Sequence, residues 1–475
     1  MIPFTLAEIA AIVGGTLHDA DPAVVATGLE YDSRKITTGE LFLAFEGEHV
    51  DGHSYVADAV ASGAVASIVT KPVEGPSIEV ADAIAAVTAL ARANASRLSA
   101  KVIGITGSSG KTSTKDLIAH VLRAAGQTVA PVGSANNELG FPHTVLQAGQ
   151  ATDFLVLELG ARGVGHIRYL TEIAPPQVGV VLNVGSAHLG EFGNQEAIAQ
   201  AKGELVEALP ESGIAILNAD DVLVRAMAAR TRARVITFGE GASADVRGSG
   251  VDLDELGRAS FTLRGGSAEA RVALRLVGEH HVSNALAAAA VGLECGLSLE
   301  AVASALTTAT PASPWRMEVT ERADGVLVIN DAYNANPESM RAAIKALANA
   351  HRARRPAGAR SFAVLGQMAE LGASGPVEHL DLGRFAVRLD VSRVIAVGEA
   401  ARPIHHGATL EGSWNGEASW VPDIEAAVAM LRAELAPGDV VLVKASRAAS
   451  LERVALAITE HEARPQAQRS DGEAQ

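Results

Sequence analysis

The sequence predicts an α/β protein of three domains, with mainly parallel sheets. Three observations carry this expectation. The chain has 475 residues, and a typical domain of about 150 residues gives roughly three of them. Short apolar, β-branched runs alternate with Ala-rich helical stretches, the rhythm of βαβ units. The segment KVIGITGSSGKTSTKDLIAHVL, 101–122, passes from an apolar strand through a Gly-rich turn into the start of a helix.

Residues 1–98 form the first expected domain. A strand-like run at 65–69 precedes a turn around Pro72 and Pro76, and a helical stretch at 81–99 leads to a boundary near Arg97. Residues 99–312 form the second, a central P-loop-type domain. Its strands are expected at 102–105, 154–157, 178–182, 214–217 and 235–238, with shorter pieces around 260–263 and 270–276 as an antiparallel addition. An Ala-rich helix follows at 284–297, and TTATPASP, 307–314, reads as a linker. Residues 313–462 form the third. Strands are expected at 325–330, 362–365, 394–397 and 440–443, and a helix at 424–435 with Asp423 as its N-cap. The polar tail 463–475 is expected to be disordered.

Composition narrows the function. With 48% hydrophobic and 20% charged residues the chain has material for large cores. A net charge of −16 argues against non-specific nucleic-acid binding, which needs a basic surface. Cys295 is the single cysteine, so no internal disulfide forms and a cytoplasmic protein is expected. The start, MIPFTLAEIAAIVGG, lacks the basic region of a signal peptide, and no uninterrupted apolar run suggests a membrane span.

The Gly-rich turn carries the strongest chemical signal. Backbone N–H groups of such a loop face phosphates, and the helix N-terminus favours their charge. The candidate phosphate-binding residues are Gly107, Ser108, Ser109, Gly110, Lys111, Thr112 and Ser113. Lys111 is placed to reach the terminal phosphates, and the Thr112 hydroxyl to hold magnesium. Ile105 stands where the full motif has another glycine. Further polar residues sit at predicted strand ends, where parallel sheets bind ligands. Glu158 follows four apolar residues, and a magnesium ion beside the triphosphate is its natural partner. His188 lies past the next strand. Lys202 and Glu204 fall within a helix, on either a solvated face or an active site. His280 and Asn284 stand one helical turn apart. Arg316, Asp331, Asn334 and Asn336 cluster around a strand end and a helix start, and Lys444, Ser446 and Arg447 follow the last strand.

These segments together resemble the Mur ligases of bacterial cell-wall synthesis. The resemblance rests on YDSRKITTGELFLAFEGEHVDGHSY (31–55), GITGSSGKTSTKD (104–116), SANNELGFPHTVL (134–146), LELGARGVGHI (157–167), NVGSAHLGEFG (183–193), AKGE (201–204), GEHHVSNALAAAA (278–290), INDAYNANPESM (329–340), LGQMAELG (365–372) and LVKASR (442–447). It implies an N-terminal domain for a UDP-sugar-peptide, a central ATPase-like domain and a C-terminal Rossmann-like domain. It implies an ATP-dependent ligase joining D-alanyl-D-alanine to UDP-N-acetylmuramoyl-tripeptide through an acyl phosphate, acting as a monomer. By resemblance Lys111, Lys202 and His188 are catalytic. Thr112, Glu158, His188 and Lys202 belong to the magnesium site, with Lys202 carried as a carbamate. Asn284, Arg316 and Asp331 contact the base, phosphates and ribose of ATP, and Asn334 and Asn336 share that cleft. Ser33, Arg34 and Asn137 face the UDP-linked substrate. Trp315, His143 and Ala445 depart from the family pattern. Two alternatives stay open: the family member that adds the preceding, third amino acid, and a nucleotide-binding switch or scaffold.

Overall fold

The computed structural model describes residues 1–47, 50–185, 192–412 and 416–460. His188 and the tail from 461 lie outside these residues. The chain forms two compact units. The first comprises Met1–Asp252, Ser260–Arg275 and His280–Ser313; the second comprises Leu253–Ala259, Leu276–Glu279 and Pro314–Gln475.

The first unit holds a five-stranded sheet and the central sheet. The former runs in the order Thr16–His18, Ser77–Glu79, Ala66–Val69, Glu40–Leu43, Gly28–Glu30, parallel except for its first pair. The central sheet has nine strands, and its middle is parallel: Ile214–Asn218, Val178–Val181, Lys101–Thr106, Phe154–Glu158 and the short Thr128–Val129. Ala268–Val277 and Arg258–Gly265, at the far edge, are joined by so short a turn that they run antiparallel.

The parallel strands are apolar on both faces, as expected when helices cover both. Val102, Leu155, Leu157 and Val181 share one core with Ile167 and Leu170 of helix His166–Ile173 and Ile198 and Leu205 of helix Gln195–Glu207. On the other face helix Lys111–Leu122 runs along helix His281–Glu294. That seam is built from small residues. Ala285 and Ala287–Ala290 are fully buried, and a Cβ on Gly292 would lie 2.7 Å from Val121 Cγ1. Strand Lys101–Thr106 therefore feeds a helix on one face, and its neighbours on either side feed helices on the other. This is the reversal at which open α/β sheets form a crevice.

The second unit has six strands in the order Glu318–Glu321, Leu327–Asn330, Val440–Lys444, Ser361–Leu365, Arg393–Val397, Ala418–Val421, all parallel after the first pair. Helices Pro337–Arg354, Gly375–Arg388 and Arg402–Glu411 cover one face, and Ile424–Glu434 and Glu452–Thr459 the other. Asp423 accepts from the Ala426 N–H and caps its helix as expected. The two edge strands, Glu318–Glu321 and Ala418–Val421, have no counterpart in the sequence expectations. The expected linker begins late, because helix Leu299–Thr308 persists to Thr308. No helix of the described residues is long and apolar enough to cross a membrane.

Candidate active site

In the first unit the crevice gathers the candidate residues at the carboxyl ends of three adjacent strands. Strand Lys101–Thr106 ends in Gly107–Gly110, and Gly110, at φ +79°, is the N-cap of helix Lys111–Leu122. The left-handed backbone there suits glycine. The loop is organised by a residue the sequence reading leaves without a role: Asn183 Oδ1 accepts from the Ser108 and Ser109 N–H groups, each at 2.9 Å. The Ser108 hydroxyl accepts from Gly185 N–H at 2.9 Å. Lys111 Nζ donates to Gly107 O at 2.8 Å, folding back over the loop. Ser113 lies in the first turn of the same helix, half-buried.

Glu158 closes the next strand and is 1% exposed. Thr112 Oγ1 donates to its Oε2 at 2.7 Å, and Ser134 Oγ and Asn136 Nδ2 donate to its Oε1 at 3.0 and 2.8 Å. Among the described residues no cation pairs with this buried carboxylate. Ser134 and Asn136 were not singled out in the sequence, although they lie within SANNELG.

Lys202 is 3% exposed, so the solvated-face reading is corrected. Helical periodicity placed Ile198 and Leu205 correctly in the core but gave no hint that the polar side is covered as well. Burial pushes the Lys202 ammonium well below its usual range, and the Lys111 charge adds to the effect. Among the described residues its side chain makes no hydrogen bond or ion pair. Glu204 has a separate task. It accepts from Gly165 and Arg168 N–H groups and so caps the start of helix His166–Ile173.

Asn284 stands directly over the loop: a Cβ on Gly110 would lie 2.7 Å from its Oδ1. Its amide donates to His281 Nδ1 at 3.3 Å. His281 is 3% exposed, and burial holds its imidazole well below the usual range. A neutral ring is the form that accepts this bond.

Ser33 and Arg34 lie in the turn after strand Gly28–Glu30. Arg34 forks onto Asp32 at 2.8 and 2.9 Å and holds that carboxyl down at about 2. Glu30 accepts from Tyr31 and Asp32 N–H groups and reaches His143 Nε2 at 3.7 Å, while the Tyr31 and His143 rings meet edge-on at 4.8 Å. His143 belongs to helix Gly140–Leu146, whose first N–H is taken by Asn137 Oδ1 at 2.7 Å. Ser33, Arg34 and Asn137 thus lie on neighbouring segments.

The second unit has its own polar cluster at strand ends. Lys444, 2% exposed, pairs with Asp331 Oδ2 at 2.6 Å and donates to Asn334 O at 2.8 Å. Asp331 Oδ1 accepts from Met317 N–H at 3.0 Å. The Arg316 guanidinium lies 4.1 Å from the Tyr333 ring centre, and its Nε is buried with no hydrogen-bond partner among the described residues. Asn334 is exposed, and Asn336 caps helix Pro337–Arg354, which gives its side chain a structural task. Ser446 ties the last strand to LGQMAELG, donating through its N–H to Gln367 O and accepting from Ala369 N–H.

A Gly-rich loop opening a helix, a buried strand-end carboxylate and a buried lysine stand together at one sheet reversal, and the sequence around them places the chain in a family. Residues 25–121 match the Mur ligase family catalytic domain, 105–292 the Mur ligase middle domain and 315–447 the Mur ligase glutamate ligase domain. The chain belongs to the Mur ligase family. It is 53% identical to the UDP-N-acetylmuramoyl-tripeptide–D-alanyl-D-alanine ligase of Mycobacterium tuberculosis, over 96% of this chain and 98% of that one. Identity to the ligase of that name from Escherichia coli is 35%, over 97% and 99%. Among solved structures, MurF from Acinetobacter baumannii superposes with a TM-score of 0.84 at 32% identity, covering 97% of this chain and 99% of that one. The MurF ligase of Thermotoga maritima in complex with ADP gives 0.77 at 30% identity, over 92% and 97%.

Proposed function

We infer that this chain is an ATP-dependent ligase that joins D-alanyl-D-alanine to UDP-N-acetylmuramoyl-tripeptide, giving the pentapeptide precursor of peptidoglycan. The observation that carries the reading is the convergence of Lys111, Thr112 and Glu158 at one crevice, in a chain similar over nearly its whole length to ligases of that name. The chemistry proceeds in two transfers. A carboxylate oxygen of the tripeptide attacks the γ-phosphorus of ATP, and the bond from that phosphorus to ADP breaks. The amine of D-alanyl-D-alanine then attacks the acyl carbon. The acyl–phosphate C–O bond breaks, phosphate leaves, and the nitrogen gives up a proton as the amide forms.

The chain's own groups act mainly by charge and position. Lys111 meets the transferring phosphoryl group, and the loop N–H groups other than those of Ser108 and Ser109, which Asn183 takes, hold the phosphates. Asn284 contacts the base. By the resemblance, Arg316, Asp331 and Asn334 are nucleotide contacts, and Ser33, Arg34 and Asn137 face the UDP-linked substrate. Thr112 and Glu158 fit magnesium, because they offer hard oxygen donors and the buried carboxylate has no cation partner among the described residues. Magnesium, when bound, supplies positive charge against the phosphate oxygens. A carbamate forms on a neutral amine, which is the state burial favours at Lys202. Its substrates place the enzyme in the cytoplasm.

The test is a matrix of acceptors and amines: UDP-muramoyl dipeptide and tripeptide against single amino acids and D-alanyl-D-alanine, with phosphate release as readout. Release confined to tripeptide plus D-alanyl-D-alanine is expected. Release with the dipeptide and a single amino acid would assign the preceding ligase step, and release with neither partner would favour a nucleotide switch.

A further inference from the structure

Lys115 carries a charge that neither the phosphate loop nor the crevice uses directly. It lies one helical turn beyond Lys111 and is 1% exposed. Burying an ammonium is costly unless its hydrogen bonds are met. Here they are met by Pro131 O at 2.5 Å, Gly133 O at 3.0 Å and the Asp116 carboxylate at 2.7 Å. The two carbonyls flank Val132, which is 89% exposed. Pro131 itself is buried, but Val132 gives this excursion of chain little apolar burial. Pro131 has no N–H with which to join a sheet. The buried ammonium is what holds its backbone.

The same excursion then delivers Ser134 and Asn136 to Glu158 Oε1, with Asn136 Nδ2 also 3.1 Å from Ser134 Oγ. The other carboxylate oxygen accepts from Thr112, on the helix that carries Lys115. The contacts close a ring that begins and ends on one helix: Thr112, Glu158, Ser134 and Asn136, the carbonyls of Gly133 and Pro131, Lys115. We propose that Lys115 is a positioning residue. Its ammonium sets the register of residues 131–136, and through Ser134 and Asn136 it aims the Glu158 carboxylate at the Thr112 hydroxyl. The consequence for magnesium rests on the reading of Glu158 given above.

Two measurements test this. The first is limited proteolysis of the full chain by a broad-specificity protease, without nucleotide or metal. Lys115→Met should speed cleavage within residues 131–137 by about tenfold or more, while cleavage elsewhere keeps its rate and Lys115→Arg restores much of the resistance. Unchanged cleavage within 131–137 in a folded Lys115→Met protein overturns the proposal. The second is the magnesium concentration for half-maximal ligation. Lys115→Met and Asn136→Ala should each raise it by about tenfold, in the range found for residues that orient a metal ligand, with kcat at saturating magnesium largely kept. The double variant should shift no further than the larger single one, since both act along one path. Additive shifts overturn the proposal. If Lys115→Met does not fold, Lys115→Gln is read by the same criteria. A failure of the metal reading itself looks different: Glu158→Gln would leave the magnesium dependence unchanged while Lys115→Met still speeds cleavage within residues 131–137.

Discussion

Gly110→Ala probes the geometry of the phosphate loop at its tightest point. The native φ of +79° costs a residue with a Cβ about 1–2 kcal/mol. The new Cβ would also sit 2.7 Å from Asn284 Oδ1, closer than real contacts allow. Asn284 is 6% exposed and is held by His281. Moving it aside gives up a hydrogen bond worth about 0.5–1.5 kcal/mol. Together these come to roughly 2–3 kcal/mol stored in the loop. If the loop escapes the strain by leaving its native shape, nucleotide binding must restore that shape. ADP affinity, measured by calorimetry, should then fall by about 30- to 150-fold. Asn284→Ala in the Gly110→Ala background should remove the clash and leave the φ strain. The double variant should therefore be about 1 kcal/mol more stable to urea than the two single effects predict. ADP affinity within threefold of wild type in Gly110→Ala, or strict additivity in the double variant, would refute the reasoning.

Three further outcomes are expected. Lys111→Ala should keep its circular dichroism spectrum but lose at least about 3 kcal/mol of transition-state stabilisation, a hundredfold or more in turnover at saturating ATP; retention of half the activity removes Lys111 from that role. Lys202→Ala should be inactive and partly restored by acetate or formate; no rescue, together with an unmodified amine in a well-resolved ATP-bound crystal, would dispose of the carbamate. Asp51 is held below the usual carboxylate range by Lys71 and His53. Its native state thus binds fewer protons than the unfolded chain between the lowered value and about 4, so this stability is present above about pH 4 and lost as pH falls below it. The advantage of wild type over Asp51→Asn in urea midpoint should shrink between pH 5 and pH 3, and a constant difference would contradict the assignment.

The sequence discloses what depends on local pattern and conceals what depends on distant partners. The strand, loop and helix at 101–122 are legible because β-branched residues, glycines and helical periodicity fall in order. Glu158 is legible because a carboxylate closing an apolar strand needs an explanation. The residues that hold these groups are not. Asn183 reaches Ser108 across 75 positions and Asn136 reaches Glu158 across 22, and no local pattern marks either. Lys202 shows the limit of periodicity, which identifies the apolar side of a helix but not whether its polar side is covered. The strands EVTE and ASWV escape notice because each is only four residues long, too short to display an alternation, and EVTE in addition leaves half of its residues exposed. The boundaries of the site were thus readable, and its internal bracing was not.

The alanine seam between helices Lys111–Leu122 and His281–Glu294 gives this enzyme an unusual vulnerability. Most interiors are injured when a side chain is cut down. This one has little to lose by truncation, since its residues are already near the smallest available. It is injured by growth. A Cβ added at Gly292 would lie 2.7 Å from Val121 Cγ1 and 2.9 Å from Val302 Cγ2, so it presses at once on the helix that presents Lys111 and Thr112 and on helix Leu299–Thr308, at a typical overpacking cost of about 1–3 kcal/mol. Random mutagenesis of this stretch should therefore return valine and threonine among the inactive clones, and glycine and serine among the active ones. Sequence drift along 285–292 is confined from above, by volume, rather than by chemistry.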